Sequence, residues 1–381
     1  MLHNGFINQR RCAINRHASL KLSILPGIMI LAMVLTGCGL GGATPTPTSR
    51  PTAIVYTATP RSTPLPEVAQ AAPVGDSTRP ISILFVLPQN RRDDDVTRAQ
   101  NALEDHLNSE LGLAFEVSFL NNDTEALTEL CSGRPAAVWA SAFTLIAAER
   151  ACGAKPGLAE VHGEGRSATV GETAEILIRM DFTNISALAG RVFCRVDEDF
   201  TSDDYLIHWV YPGLVMAAGG VNPTTDLRAV RTFPDEAALV RAIYEGHCTA
   251  AAITPGQFQD LVDEVEDELE VRDVRDIVKQ LLRAEDTRLP ADTADWDGYP
   301  EGVIPYDGLI FPSDQTISPT VRAQIINSIA DFAESRNGRG LLEDILDADA
   351  VLRVGGDSET DYYAAFRALL TQARWDMAHS E

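Results

Sequence analysis

The chain has 381 residues, with 31 Lys and Arg against 55 Asp and Glu, a formal charge of −24. So acidic a protein is a poor partner for nucleic acid or an anionic membrane surface. Its length exceeds what one compact core usually covers, so more than one lobe is expected.

The first 37 residues read as an export signal. Arg10, Arg11, Arg16 and Lys21 stand in a segment with no acid, an apolar run extends from Leu22 to Leu35, and small residues lead to Cys38. The run is broken by Pro26 and Gly27 and is shorter than the ~20 residues a spanning helix needs. Leu35-Thr36-Gly37-Cys38 has the form of a cleavage site for lipid-modified secreted proteins. Cys38 would then become the first residue and carry the lipid, anchoring the protein outside the cytoplasm at the cell membrane. Without the signal, 27 basic residues face 55 acidic ones, a net charge of −28.

Residues 38–80 read as a disordered tether, with prolines at 45, 47, 51, 60, 64, 66, 73 and 80 among Thr, Ser and Ala. From Ile81 onward, apolar runs of strand length alternate with amphipathic helical spacing. The order is strand 81–87, helix 96–111, strand 113–120, helix 124–131, strand 136–140 and helix 143–151, then a strand at 175–180. The pattern restarts with strand 191–196, helix 205–218, strand 227–230, helix 235–244, strand 249–253 and helix 255–265. A strand at 303–311 and helical segments at 319–335, 340–346 and 361–377 close the chain. Such alternation implies an α/β fold of two lobes, each a mostly parallel sheet flanked by helices, joined by two crossings that act as a hinge. Lobe I would comprise 81–181 and 303–381, lobe II 182–302. A ligand cleft is expected between them, beyond the carboxyl ends of the strands.

With Cys12 removed and Cys38 acylated, Cys131, Cys152, Cys194 and Cys248 remain, an even number that suits two disulfides in an oxidising compartment. The lobe division favours Cys131–Cys152 and Cys194–Cys248. A zinc site at His247 and Cys248 lacks a close cysteine pair. The acidic run 260–270 lacks the alternating ligands and turn glycine of a calcium loop and reads as a solvated helix face. No cofactor is implied. No phosphate-cradling Gly-x-x-x-x-Gly-Lys, Gly-x-Ser-x-Gly elbow or His-Glu-x-x-His occurs, and the seven histidines are scattered, so nothing points to an enzyme.

An ordered set of segments carries a family resemblance: Leu87-Pro88 after the first strand, the strand ending Val138-Trp139-Ala140, the run 186–195 ending at Arg195, the glycine pair in 217–223, Gly246 after the helix 235–244, Ile304 to Asp307, and Asp361 to Tyr363. Over nearly all of 81–370 the chain resembles the solute-binding lipoproteins of phosphate, phosphite and phosphonate ABC importers, in the two-lobed class with crossed connections. The resemblance implies a monomeric receptor that closes on a small oxyanion such as a phosphonate and presents it to an ABC permease. It places ligand contacts at Thr201, Ser202, Asp203 and Tyr205 at a helix start, and at Asp307 near the hinge. Thr124 and Thr173 stand near positions where the family offers aromatic hydroxyls, and Pro234-Asp235 replaces a family His. Asp203 and Asp204 replace the usual Ser-Gly. These changes run towards acid, so an amine-containing cationic or zwitterionic solute is an alternative, as is a sensor or scaffold that has lost transport. Arg91, at the mouth of the expected cleft, either lies in an exposed loop or supplies positive charge for an anionic ligand group. His208, Trp209, Trp139 and Trp375 read as surface or packing residues.

Overall fold

The computed structural model describes residues 72–86, 94–198, 204–282, 303–354 and 361–375. The export signal, Cys38 and the tether up to residue 71 lie outside the described residues, as do Arg91, Thr201, Ser202 and Asp203. Residues 72–80, expected to end the tether, form turns hydrogen-bonded to the body. Asp76 accepts from the N–H and hydroxyl of Thr78 at 2.9 Å, and the Gly75 carbonyl accepts from Ala114 N–H at 2.8 Å. Local side-chain capping there outweighs the proline-rich composition.

A six-stranded sheet has the order β13-β4-β12-β3-β1-β2. Its strands are β1 (Ile81–Val86), β2 (Phe115–Leu120), β3 (Ala136–Ala140), β4 (Lys155–Val161), β12 (Gly308–Phe311) and β13 (Ala350–Arg353). Parallel pairing holds β1 to β2 and β3, while β12 is antiparallel to both β3 and β4. Residues 308–353 thus return to the sheet begun at residue 81. Alternation along β1 sends Ile81, Ile83 and Phe85 to one face and Leu84 to the other. The first face packs on α1 (Asp94–Leu111) and α8 (Pro319–Glu334), where Leu103, Leu107, Ile325 and Ile329 are fully buried. Each such side chain is worth about 1.5–3 kcal/mol of burial. The other face carries α2 (Asp123–Cys131), α3 (Ala142–Cys152) and α9 (Ala364–Gln372).

The second sheet has the order β10-β6-β9-β7-β8. It is formed by β6 (Glu175–Arg179), β7 (Val192–Val196), β8 (Ala229–Phe233), β9 (Ala250–Ile253) and β10 (Val278–Leu282). β7 pairs in parallel with β8 and β9, whereas β6 and β10 are antiparallel additions. Strand β6, which the sequence groups with lobe I, is hydrogen-bonded into this second sheet. Helices α5 (Glu236–Tyr244) and α6 (Phe258–Leu269) cover one face, and the short α7 (Val274–Ile277) leads into β10. Between the sheets run β5 (Gly171–Glu172) and β11 (Ile304–Pro305), paired antiparallel.

Both disulfides form as expected. Cys131–Cys152 joins the ends of α2 and α3, and Cys194–Cys248 ties β7 to the turn before β9. The strand at 303–311 is two strands broken at Tyr306-Asp307, and the final helix is shorter than 361–377. Segment 205–218 is not one regular helix: Leu206–Val210 is a π turn, and α4 (Tyr211–Ala218) follows it. Pro212 has no N–H to give a residue one turn back, and the wider turn, with Tyr211 N–H on the Leu206 carbonyl, accommodates it. Among the described residues no helix is long and apolar enough to cross a membrane.

Candidate functional site

The first group of polar side chains surrounds the crossing between the sheets. Glu160, next to last in β4, is buried, and its carboxylate accepts from Trp139 Nε1 at 2.6 Å. Burial pushes its carboxyl above the usual range, partly offset by His162 and Trp139. His162 Nε2 lies 3.5 Å from Glu160 Oε2, and that carboxylate holds the imidazole above its ordinary pKa against the opposing effect of burial. The His162 ring packs on Tyr306 with centroids 4.1 Å apart. Tyr306 donates to Glu172 at 2.9 Å, and the Thr169 hydroxyl sits 3.1 Å from the phenol oxygen. Burial, then the Glu172 charge, push that phenol upward. Backbone bonds close the unit: Glu160 N–H donates to the Asp307 carbonyl at 2.9 Å and Tyr306 N–H to that of Val170 at 3.2 Å. The two crossing segments therefore share one network of strand pairing and side-chain bonds.

The second group stands at the carboxyl ends of β7 and β9. His208, 3% exposed, reaches Glu198 through Nδ1 at 2.9 Å and Glu236 through Nε2 at 2.7 Å. Burial opposes charge on the ring, but the two carboxylates win and raise its pKa. Glu236 also accepts from Thr254 N–H at 2.6 Å; burial would raise its carboxyl, and His208 and Thr254 outweigh that and lower it. Asp235 caps α5 by accepting from Ala238 N–H at 2.7 Å. Buried Glu175 accepts from Gly256 N–H at 3.1 Å and from Gln280 Nε2 at 2.7 Å. Backbone N–H groups at a helix start and beyond strand ends are donors suited to an oxyanion. Here carboxylates of the chain itself occupy Ala238, Thr254 and Gly256.

In the first sheet the same economy holds at α2 and α3. Asn122 caps α2 by accepting from Glu125 N–H at 2.9 Å, and Ser141 donates its hydroxyl proton to Asp123 at 2.8 Å. Thr124 is exposed on α2, its carbonyl accepting from Thr128. Thr173 is buried between β5 and β6. Asp307 is half-buried between β11 and β12, and Tyr205 is half-buried under the Arg195 guanidinium, 5.4 Å from Cζ to ring centroid. Among the described candidates, the structure draws Asp307 and Thr173 to the crossing and Tyr205 to the second group, and leaves Thr124 at the surface. His208 is a packing residue with a specific role, clamped by two carboxylates. Trp139 is buried; Trp209 and Trp375 pack against the core. Glu160, His162, Glu175, Glu198 and Glu236 were not singled out from the sequence. Among the described residues no group of His, Cys, Asp and Glu could hold a metal ion.

The chain matches, over residues 85–354, the family described as the periplasmic substrate-binding protein of phosphonate ABC transporters. No curated protein matches it. Among solved structures, a Prochlorococcus marinus protein in complex with methylphosphonate is similar, at 11% identity, covering 77% of this chain and 98% of that one with a TM-score of 0.39. A binding protein component of a phosphonate ABC transporter from Pseudomonas aeruginosa is 12% identical, covering 77% and 86%, with a TM-score of 0.39. A Xanthomonas citri protein bound to ATP is 11% identical, covering 77% and 95%, with a TM-score of 0.42. Because the family match spans 85–354, well over half of the chain, the protein belongs to the periplasmic substrate-binding family of phosphonate ABC transporters.

Proposed function

We infer that the protein is a lipid-anchored receptor that closes two lobes around a solute carrying an ammonium group and delivers it to an ABC permease. One observation carries the choice of solute: at the carboxyl end of the second sheet, Glu236, Glu175 and Asp235 occupy backbone donors that an oxyanion would otherwise use. A bare anion placed about 4 Å from one such carboxylate is repelled by roughly 4 kcal/mol at an effective dielectric of 20. An ammonium group turns that repulsion into attraction. A zwitterion such as an aminoalkylphosphonate satisfies both the family's chemistry and these carboxylates. The hinge is assigned to the segments around 162–174 and 303–307, and closure follows the solute's preference for the closed form.

The test is thermal unfolding of the full chain in detergent with 2-aminoethylphosphonate, methylphosphonate, phosphate or ethanolamine. A ligand at a hundredfold excess over its dissociation constant adds about 2.7 kcal/mol of stability. Stabilisation by 2-aminoethylphosphonate well beyond that by methylphosphonate is expected; equal stabilisation by the two sinks the ammonium assignment. Anchoring is tested separately: wild type should partition with membranes and Cys38→Ala should be released.

A further inference from the structure

We propose that Arg195, held between Tyr205 and Trp209, binds the anionic group of the solute. This rests on the zwitterion reading and supplies its opposite pole. Arg195 is next to last in β7, on the face it shares with Phe193, whose ring centroid lies 6.3 Å from that of Trp209. Its Cζ stands 5.4 Å from the Tyr205 ring centroid and 5.8 Å from that of Trp209. Many arginines of this acidic chain find a carboxylate, among them Arg241 with Glu268, Arg272 with Asp267 and Arg367 with Glu149. Arg195 makes no ion pair among the described residues, although Asp197 and Glu198 follow it closely. Its hydrogen bond there is a long one, 3.4 Å, to the carbonyl of the next residue, Val196.

Glu198 is already committed to His208, which explains why it does not turn to Arg195. Stacking on aromatic faces orients a guanidinium while leaving its in-plane N–H fork free, and that fork matches carboxylate and phosphonate geometry. The two poles are adjacent in the chain. Trp209 flanks Arg195, and its neighbour His208 holds Glu198 and Glu236. The second sheet therefore offers a half-buried cation beside a carboxylate cluster, a pairing that neither a simple amine nor a bare phosphonate uses in full.

Isothermal titration of the full chain with 2-aminoethylphosphonate and with ethanolamine tests this in wild type, Arg195→Gln and Arg195→Lys. Arg195→Gln should weaken 2-aminoethylphosphonate on the order of 10- to 100-fold and leave ethanolamine, which has no anion, within about twofold, while Arg195→Lys recovers part of the loss. Equal loss for both probes would show that Arg195 only supports the local fold, and no loss for either would overturn the proposal. If wild type binds methylphosphonate as tightly as 2-aminoethylphosphonate, the ammonium assignment fails, and Arg195 is then judged by Arg195→Gln against methylphosphonate. Failure of wild type to bind either phosphonate overturns the Arg195 proposal itself.

Discussion

Replacing His208 by Gln should cost the fold about 3 kcal/mol at neutral pH and shrink the alkaline limb of its stability profile. The imidazole is 3% exposed and bonds two carboxylates, Glu198 at 2.9 Å and Glu236 at 2.7 Å. Removing one partner of a buried charge cluster typically costs about 3–5 kcal/mol. Gln keeps one of the two donations and fills similar space, which puts it near the lower end. Even so the loss is a large share of a total stability of about 5–15 kcal/mol. The pH dependence follows from the two shifts. His208 is raised above its ordinary 6.5, so its stabilisation is complete below that value and fades as pH rises through the raised one. Glu236 is lowered from 4.5, so its contribution is complete above that value and fades as pH falls through the lowered one. Urea unfolding of both proteins from pH 6 to 9 reads the difference. Wild type should lose stability across the alkaline half of this range and His208→Gln should lose distinctly less, the remainder coming from His162, whose pKa Glu160 also raises. A variant curve running parallel to wild type, or within about 1 kcal/mol of it at pH 6, would refute the buried charge clamp.

Three further changes probe the frame around the site. The Cys194–Cys248 bridge closes a separation of 54 residues and Cys131–Cys152 one of 21. Chain entropy then assigns about 4 and about 3 kcal/mol to them, so replacing the first pair by Ala should lower the urea midpoint more than replacing the second. Gly308→Ala would put a Cβ 2.4 Å from the Leu158 carbonyl oxygen and 3.1 Å from the Tyr363 hydroxyl. A cost of about 1–3 kcal/mol is expected, with faster amide exchange along β12 and β4; unchanged exchange would contradict this packing. Tyr306→Phe removes the donor to Glu172 and should cost about 1–3 kcal/mol. A double-mutant cycle with Glu172→Gln should give a coupling of at least about 0.5 kcal/mol; strict additivity would mean that the bond carries no stability.

The legible parts of the fold are those where one physical signal dominates a short segment. Strand β3, Ala136–Ala140, is buried at every position and reads as an unbroken apolar run, as does β9. Strand β4 escaped because it begins Lys155-Pro156-Gly157 and contains Glu160, each of which argues against a strand when read alone. In the structure Gly157 is required, since a Cβ there would stand 2.5 Å from the Phe311 ring. Pro156 faces Ile310, where the register with β12 shifts. Strands β10 and β13 are half-exposed edges; polar Lys279 and Gln280 break the pattern of β10, and β13 is only four residues long.

The site was less legible because its contacts join distant residues through choices of side-chain direction. Asp235 and Glu236 both read as acids at a helix start, suited to capping and to the helix dipole. Only Asp235 caps; Glu236 turns to His208, 28 residues earlier, and to the Thr254 N–H, 18 residues later. What brings His208 into reach is the π turn ahead of Pro212, and a proline inside an apolar helical pattern announces an irregularity without saying which residue it redirects. The same holds for charge. A drift towards acid near a cleft can mean carboxylates waiting for a cation or carboxylates already engaged. Here Glu236 and Glu175 are engaged with the chain's own donors, while Arg195 stands without an ion pair among the described residues. A sequence total of 31 basic and 55 acidic residues conceals that local inversion.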